Sequence, residues 1–153
     1  MLSDLLLAAD RRRSVVDDCV ALVDDHVATR SGLGGLAIKG AYATVKAIKR
    51  GFIRDAVDHL LDEFVAHLEP FFAAAMSAGG DIPAYFSSHS AAIADGLLGV
   101  TDNRADVAKN PSLRKAYARL RASAQKHVEP AVPAIARLIV RYVQRPAAAT
   151  GTS

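Results

Sequence analysis

Tryptophan is absent from this 153-residue chain, and aromatic residues together make up only 6% of it. A core without many large rings is built from alanine and short aliphatic side chains, which suits closely packed helices better than a broad β core. Cys19 is the one cysteine. A single thiol closes no internal disulfide, so a small secreted scaffold held by bridges is excluded. Long apolar runs are missing too. The longest, 70–80 and 82–94, contain proline, glycine, serine or histidine and fall short of the ~18 uncharged residues a spanning helix needs. Leu5-Leu6-Leu7-Ala8-Ala9 is too short for the apolar part of a secretion leader, and Arg11-Arg12-Arg13 follow it instead of preceding it. A cytoplasmic protein is expected. Alternation of apolar and polar residues is lacking as well, which argues against strands, and no fixed-period repeat occurs.

What the chain does have is apolar content, 51% of residues, enough for one core in a domain of this length. Its formal net charge of +3 conceals segregation. Residues 1–29 carry −3, 30–54 carry +6 with no acid, 55–103 carry −8 with no lysine or arginine, and 104–153 carry +8. The plainer meaning is intramolecular: antiparallel helices of opposite sign choose each other as neighbours. The alternative is a basic surface for an anionic partner.

The apolar spacing predicts a single all-α domain over 1–145, a bundle of five to eight mostly antiparallel helices, with 146–153 a flexible tail. A short helix is expected near 4–9, and a second at 12–29 with Val16, Cys19, Val20, Val23 and Val27 inward. Ser31-Gly32-Leu33-Gly34-Gly35 reads as a break. Helix 36–49 turns Ile38, Ala41, Tyr42, Val45 and Ile48 to one face. Helix 52–76 buries Val57, Leu60, Leu61, Phe64, Leu68, Phe71 and Phe72, with a kink expected at Pro70. Gly79-Gly80 ends it, and Asp81 caps a helix over 83–98. A short helix is expected within 101–110. Asn110-Pro111 is a helix start, cap followed by first-turn proline. After a bend at 129–133, the last helix places Val132, Ile135, Leu138, Ile139 and Tyr142 inward.

Few residue groups could carry chemistry. His59, Glu63 and His67 recur every fourth position along one helix edge, as metal ligands can. They lack the spacing of known zinc or di-iron helix motifs, and a solvated polar edge is the plainer reading of them. His26 and His127 sit at the edges of apolar stripes as hydrogen-bonded boundary residues. His89 adjoins Ser88 and Ser90, but neighbours in a helix do not face each other, so no nucleophile–base pair results. Gly32 to Gly35 follows no strand and lacks the Gly-Lys-Ser/Thr of a phosphate cradle. Cys19 lies on an inward stripe and reads as a small apolar residue. The residues point away from an enzyme, and no cofactor is implied.

The cationic helix 36–54 is the remaining candidate. Its stripe of Lys39, Lys46, Lys49 and Arg50 is the expected surface for an anionic partner. The function expected is that of a non-enzymatic helical interaction or self-associating protein. The alternative is a peripheral protein of an anionic membrane, or one binding an apolar ligand, through the same helix. Against both stands a core-facing helix whose lysines meet the acidic helix after it. Nucleic acid is not favoured, because basic residues 114–126 match no helix-turn-helix reader.

Two stretches, Gly34-Gly35-Leu36-Ala37-Ile38-Lys39-Gly40-Ala41-Tyr42 through Phe64 and Leu98-Gly99-Val100-Thr101-Asp102 through His127, resemble an uncharacterised family of small all-helical bacterial proteins. The resemblance implies an all-helical single domain and no activity, so it assigns no residue a role.

Overall fold

The sequence's apolar rhythm of three and four becomes helix throughout the computed structural model, which describes residues 1–30, 32–48, 50–106, 110–121 and 124–145. No strand occurs among the described residues. In chain order the helices are α1 (Leu2–Leu6), α2 (Arg12–Ala28), α3 (Gly32–Ile48), α4 (Phe52–Ser77), α5 (Ile82–Ser88), α6 (Ser90–Asp106), α7 (Pro111–Arg121) and α8 (Ala124–Val128). A 3-10 turn, Glu129–Ala131, then leads into α9 (Val132–Gln144). The expected tail, 146–153, lies outside the described residues, as does Lys49.

Helix α4 is the spine. It buries Leu61, Val65, Leu68, Phe72 and Ala75 against α1, α2, α5 and α6. Val57 and Phe71 pack on the edge of the same core. The amphipathic α9 closes it, with Val132, Ala136, Leu138, Ile139 and Tyr142 buried and its main contact on α5, whose Phe86 is fully buried. Burying each of these larger side chains contributes about 1.5–3 kcal/mol before chain entropy is set against it.

Polar groups fix the ends. Glu69 accepts hydrogen bonds from the backbone N–H groups of Leu2 (2.8 Å) and Ser3 (3.2 Å), satisfying α1's open N-terminus across 67 residues of sequence. Arg11 is buried and donates to the carbonyls of Leu5, Tyr142 and Arg145, so one guanidinium closes the C-terminal ends of α1 and α9. The Asp81 carboxylate accepts from Ala84 N–H at 3.0 Å, and the Asn110 side chain accepts from Ser112 N–H at 2.8 Å, as the cap signals predict.

Some expected boundaries moved. Helix α3 starts at Gly32, so Gly34 and Gly35 are helical rather than a break. A β-carbon on Gly35 would lie 2.7 Å from the backbone carbonyl carbon of Arg30, so glycine is there to let the helix approach the preceding chain. The expected 83–98 helix is divided at His89, after serines that compete with the helix for backbone partners; Ser88 Oγ donates to Ala84 C=O. Conversely α6 runs on to Asp106 as one helix, with Thr101 Oγ1 donating to Leu98 C=O within it. Helix α4 continues through Pro70.

Candidate anionic-partner surface

Helix α3 is apolar on two sides. Gly35 and Val45 are buried, and Ile38, Ala41 and Tyr42 are half-buried on the same face, as the spacing predicts. The opposite face is also poor in polar groups. Leu36, Gly40, Ala43 and Ala47 follow one another at helical spacing and are all exposed, Leu36 at 67%. Lys39 and Lys46 flank this stripe on one side, and Arg50 lies in the turn past the end of α3; each is exposed. The bundle covers one face of α3 and leaves the other in water.

The neighbours of α3 decide what its charge meets. Part of the basic block does pair with acids inside the molecule. Lys46 Nζ lies 3.7 Å from the Asp24 carboxylate on α2, and Arg54 pairs with Asp17. Arg12 bridges to Asp58 (3.0 Å) and Asp62 (2.7 Å) on α4. Yet the helix that α3 packs against most is α7, itself basic. There Arg114, Lys115 and Arg119 are exposed. Among the described residues, no ion pair engages Lys39, Arg50, Lys115 or Arg119. Two cationic helices lie side by side, an arrangement that like-charge repulsion works against and an outside anion relieves.

Tyrosine–aspartate pairs hold this layer in place. On α3, the Tyr42 hydroxyl donates to Asp24, with the Lys46 ammonium 5.2 Å above the Tyr42 ring. On α7, the Tyr117 hydroxyl donates to Asp102 of α6 and stands 2.7 Å from Thr101 Oγ1. Arg121 Nε donates to both Asp102 oxygens, at 2.9 and 3.1 Å. The Tyr117 hydrogen bond, with that of Arg121, holds the Asp102 carboxyl below its usual range. Burial and Asp102 push the Tyr117 phenol up to about 12.

The other sequence candidates go elsewhere. His59, Glu63 and His67 are not brought together. His59 is exposed and its Nδ1–H donates to Asp55 C=O at 2.8 Å. Glu63 is exposed. His67 turns inward and lies against Gly96 of α6, with its ring 5.6 Å from that of Phe71. Among the described residues, no group of three His, Cys, Asp or Glu side chains could hold a metal ion. His89 stacks on Tyr85 at 4.1 Å between ring centres. Cys19 is half-buried in the core's margin, and burial, helped by Asp18, raises its thiol to about 11. Arg30 escaped notice in the sequence. It lies just past the end of α2, and its buried side-chain Nε has no hydrogen-bond partner among the described residues.

Among the described residues, no helix is long and apolar enough to cross a membrane. No curated protein matches the chain, and no solved structure does. One family model does, over residues 2–143, and by it the chain belongs to DUF6918, a family of unknown function.

Proposed function

We propose that this protein is a non-enzymatic binding protein that docks the outward face of α3 on an anionic membrane surface. The observation that carries this reading is the exposed run of Leu36, Gly40, Ala43 and Ala47 with Lys39 and Lys46 along one side and Arg50 just past the helix end, with no acid on that face. Small side chains let the helix backbone sit close to the head groups, Leu36 enters the acyl boundary, and the cations meet lipid phosphates. Each cation near an anionic surface contributes about 1 kcal/mol, and Lys46 less because Asp24 already faces it. With Leu36 added, the total is about 4 kcal/mol, which makes the attachment weak, reversible and salt-sensitive.

Self-association through the same stripe is the second reading. Gly40 has open space beyond it, so another helix could approach closely. Across a two-fold axis, however, that contact sets Lys39, Lys46 and Arg50 near their own copies, which favours the anionic surface over a second chain.

Co-sedimentation with vesicles tests the proposal. The protein pellets with phosphatidylglycerol-containing vesicles and not with phosphatidylcholine alone, and release follows added salt. K39E/R50E and L36D each remove the pelleting at unchanged helix content. Equal behaviour of wild type and K39E/R50E ends the reading, and a dimer by native mass spectrometry that L36D dissolves replaces it with self-association.

A further inference from the structure

Helices α2 and α6 are built alike. Each is 17 residues long. The fourth and fifth residues are buried in both, Val15 and Val16 in α2, Ile93 and Ala94 in α6. The thirteenth is an aspartate in both, Asp24 and Asp102. On the helix that follows, a tyrosine donates to that aspartate, and a cation one turn later pairs with it. Tyr42 and Lys46 meet Asp24, with Lys46 Nζ at 3.7 Å. Tyr117 and Arg121 meet Asp102, with Arg121 Nε at 2.9 Å. Each tyrosine stands in Ala-Tyr-Ala and has a base three residues before it, Lys39 or Arg114.

The flanking helices agree. Leu2 and Leu6 of α1, and Ile82 and Phe86 of α5, are buried at the same spacing. Leu61, Val65 and Leu68 of α4 are matched in spacing and burial by Val132, Ala136 and Ile139 of α9. The packing is exchanged in the same way. Helices α1 and α2 rest on α4 as α5 and α6 rest on α9. In return, α4 touches α5 and α6 while α9 touches α1 and α2. An exchange that restores itself when applied twice is a two-fold, the relation within a symmetric dimer. Two copies set no recurring period and share few identical residues, so the sequence does not announce them.

Helices α3 and α7 pack on each other across that two-fold. The main core draws on α1, α2, α4, α5, α6 and α9 but, among the described residues, on neither α3 nor α7. The α3–α7 pair therefore lies at the end of the molecule where the axis emerges, and the exposed faces of both helices turn toward that end. Arg114, Lys115, Ala118 and Arg119 of α7 take the places of Lys39, Gly40, Ala43 and Thr44 of α3, and all eight are exposed. The sequence has no acid between Asp106 and Glu129.

We propose that residues 2–77 and 82–144 are two copies of one unit, and that α7 is the second half of the anion-binding surface, so that an anionic membrane meets α3 and α7 together. This rests on membrane docking by α3. A flat, extended surface engages both helices at once, whereas a small anion engages one. Each cation near an anionic surface tightens binding about fivefold, so Lys115 and Arg119 together contribute about 30-fold.

Partition onto vesicles of phosphatidylglycerol and phosphatidylcholine tests this. K115Q/R119Q weakens binding by about 30-fold, and K115E/R119E by more, at unchanged helix content. R137E/R141E makes the same change of net charge on exposed α9 cations and binds as the wild type does. Equal loss in R137E/R141E means that binding follows net charge, and overturns the proposal. Wild-type binding by both α7 variants, with K39E/R50E released, overturns it too and leaves α3 as the whole surface. Loss in the α7 variants with K39E/R50E unaffected ends the docking of α3 and the joint surface with it. Absence of binding by the wild type does the same.

Discussion

The His67 ring occupies the space where a side chain on Gly96 would begin. A β-carbon built there lies 1.7 Å from Cε1 and 1.8 Å from Nε2 of the ring. Helix α6 can pass α4 at this height only because residue 96 has no side chain, and the inward turn of His67 depends on it. G96A therefore drives the ring from its seat beside Phe71. The expected loss is about 1–3 kcal/mol, read as a lower urea midpoint at unchanged slope. H67A/G96A recovers most of what G96A loses. A loss in the double variant equal to the sum of the losses in G96A and H67A would show that the two positions are not coupled.

That contact also marks where sequence reading stops. Helical rhythm, the Asp81 and Asn110 caps and the inward stripe of α9 are local, recorded in residues a few positions apart, and each is found in the structure. His67 and Gly96 are 29 positions apart, and nothing near either one reports the other. Glu69 on Leu2 and His26 on the His127 carbonyl are likewise products of the fold. The glycines of 32–35 misled because a helix breaker and a close-packing glycine are the same letter; the difference is the Arg30 backbone against Gly35. Helix α3 was ambiguous for another reason. Its residues are apolar or small on two faces, so periodicity identifies a helix without deciding which face the bundle covers.

Arg11 gives the second prediction. It is 7% exposed and serves carbonyls from both ends of the described chain, those of Leu5, Tyr142 and Arg145. Methionine keeps the stem's packing and removes the donors. R11M is expected to lose about 3 kcal/mol, because hydrogen bonds from a charged group are lost and carbonyls at a helix end are left unmet. In a chain of this size that is a fall of about 6–12 °C in Tm. Hydrogen exchange should quicken first in α9 and α1. Protection unchanged in both would remove the capping role.

Cys19 yields a kinetic prediction. With the thiol raised to about 11 by burial, its thiolate fraction at pH 8 is about a thousandth, against about a quarter for a free thiol. The greater nucleophilicity of a high-pKa thiolate restores about tenfold of that difference. Alkylation by iodoacetamide is then at least about 20-fold slower than that of a small free thiol at the same pH, and slower still where packing blocks access. Unfolding in urea abolishes the difference. A native rate matching that of the free thiol would mean that Cys19 is neither shielded nor shifted.

Alkaline pH tests the tyrosine–aspartate pairs together. Tyr42, Tyr117 and Tyr142 each donate a phenolic hydrogen bond to an aspartate, Asp24, Asp102 and Asp18 in turn, joining α3 to α2, α7 to α6 and α9 to α2. Burial, followed by the facing carboxylate, raises all three, Tyr117 and Tyr142 to about 12. In the unfolded chain a phenol ionises near 10. Below pH 10 both states hold the proton and the stabilisation is complete. Between 10 and 12 the unfolded state releases its protons first, so folding stability falls across this window. Absorbance at 295 nm should therefore show these phenols ionising well above 10 in the native protein and near 10 in urea. Y142F loses about 1 kcal/mol at pH 7, for one hydrogen bond, and its stability declines less steeply from pH 10 to 12 because one of the linked protons is gone. A decline as steep in Y142F as in the wild type would assign the alkaline transition to the other two pairs and remove Tyr142 from it.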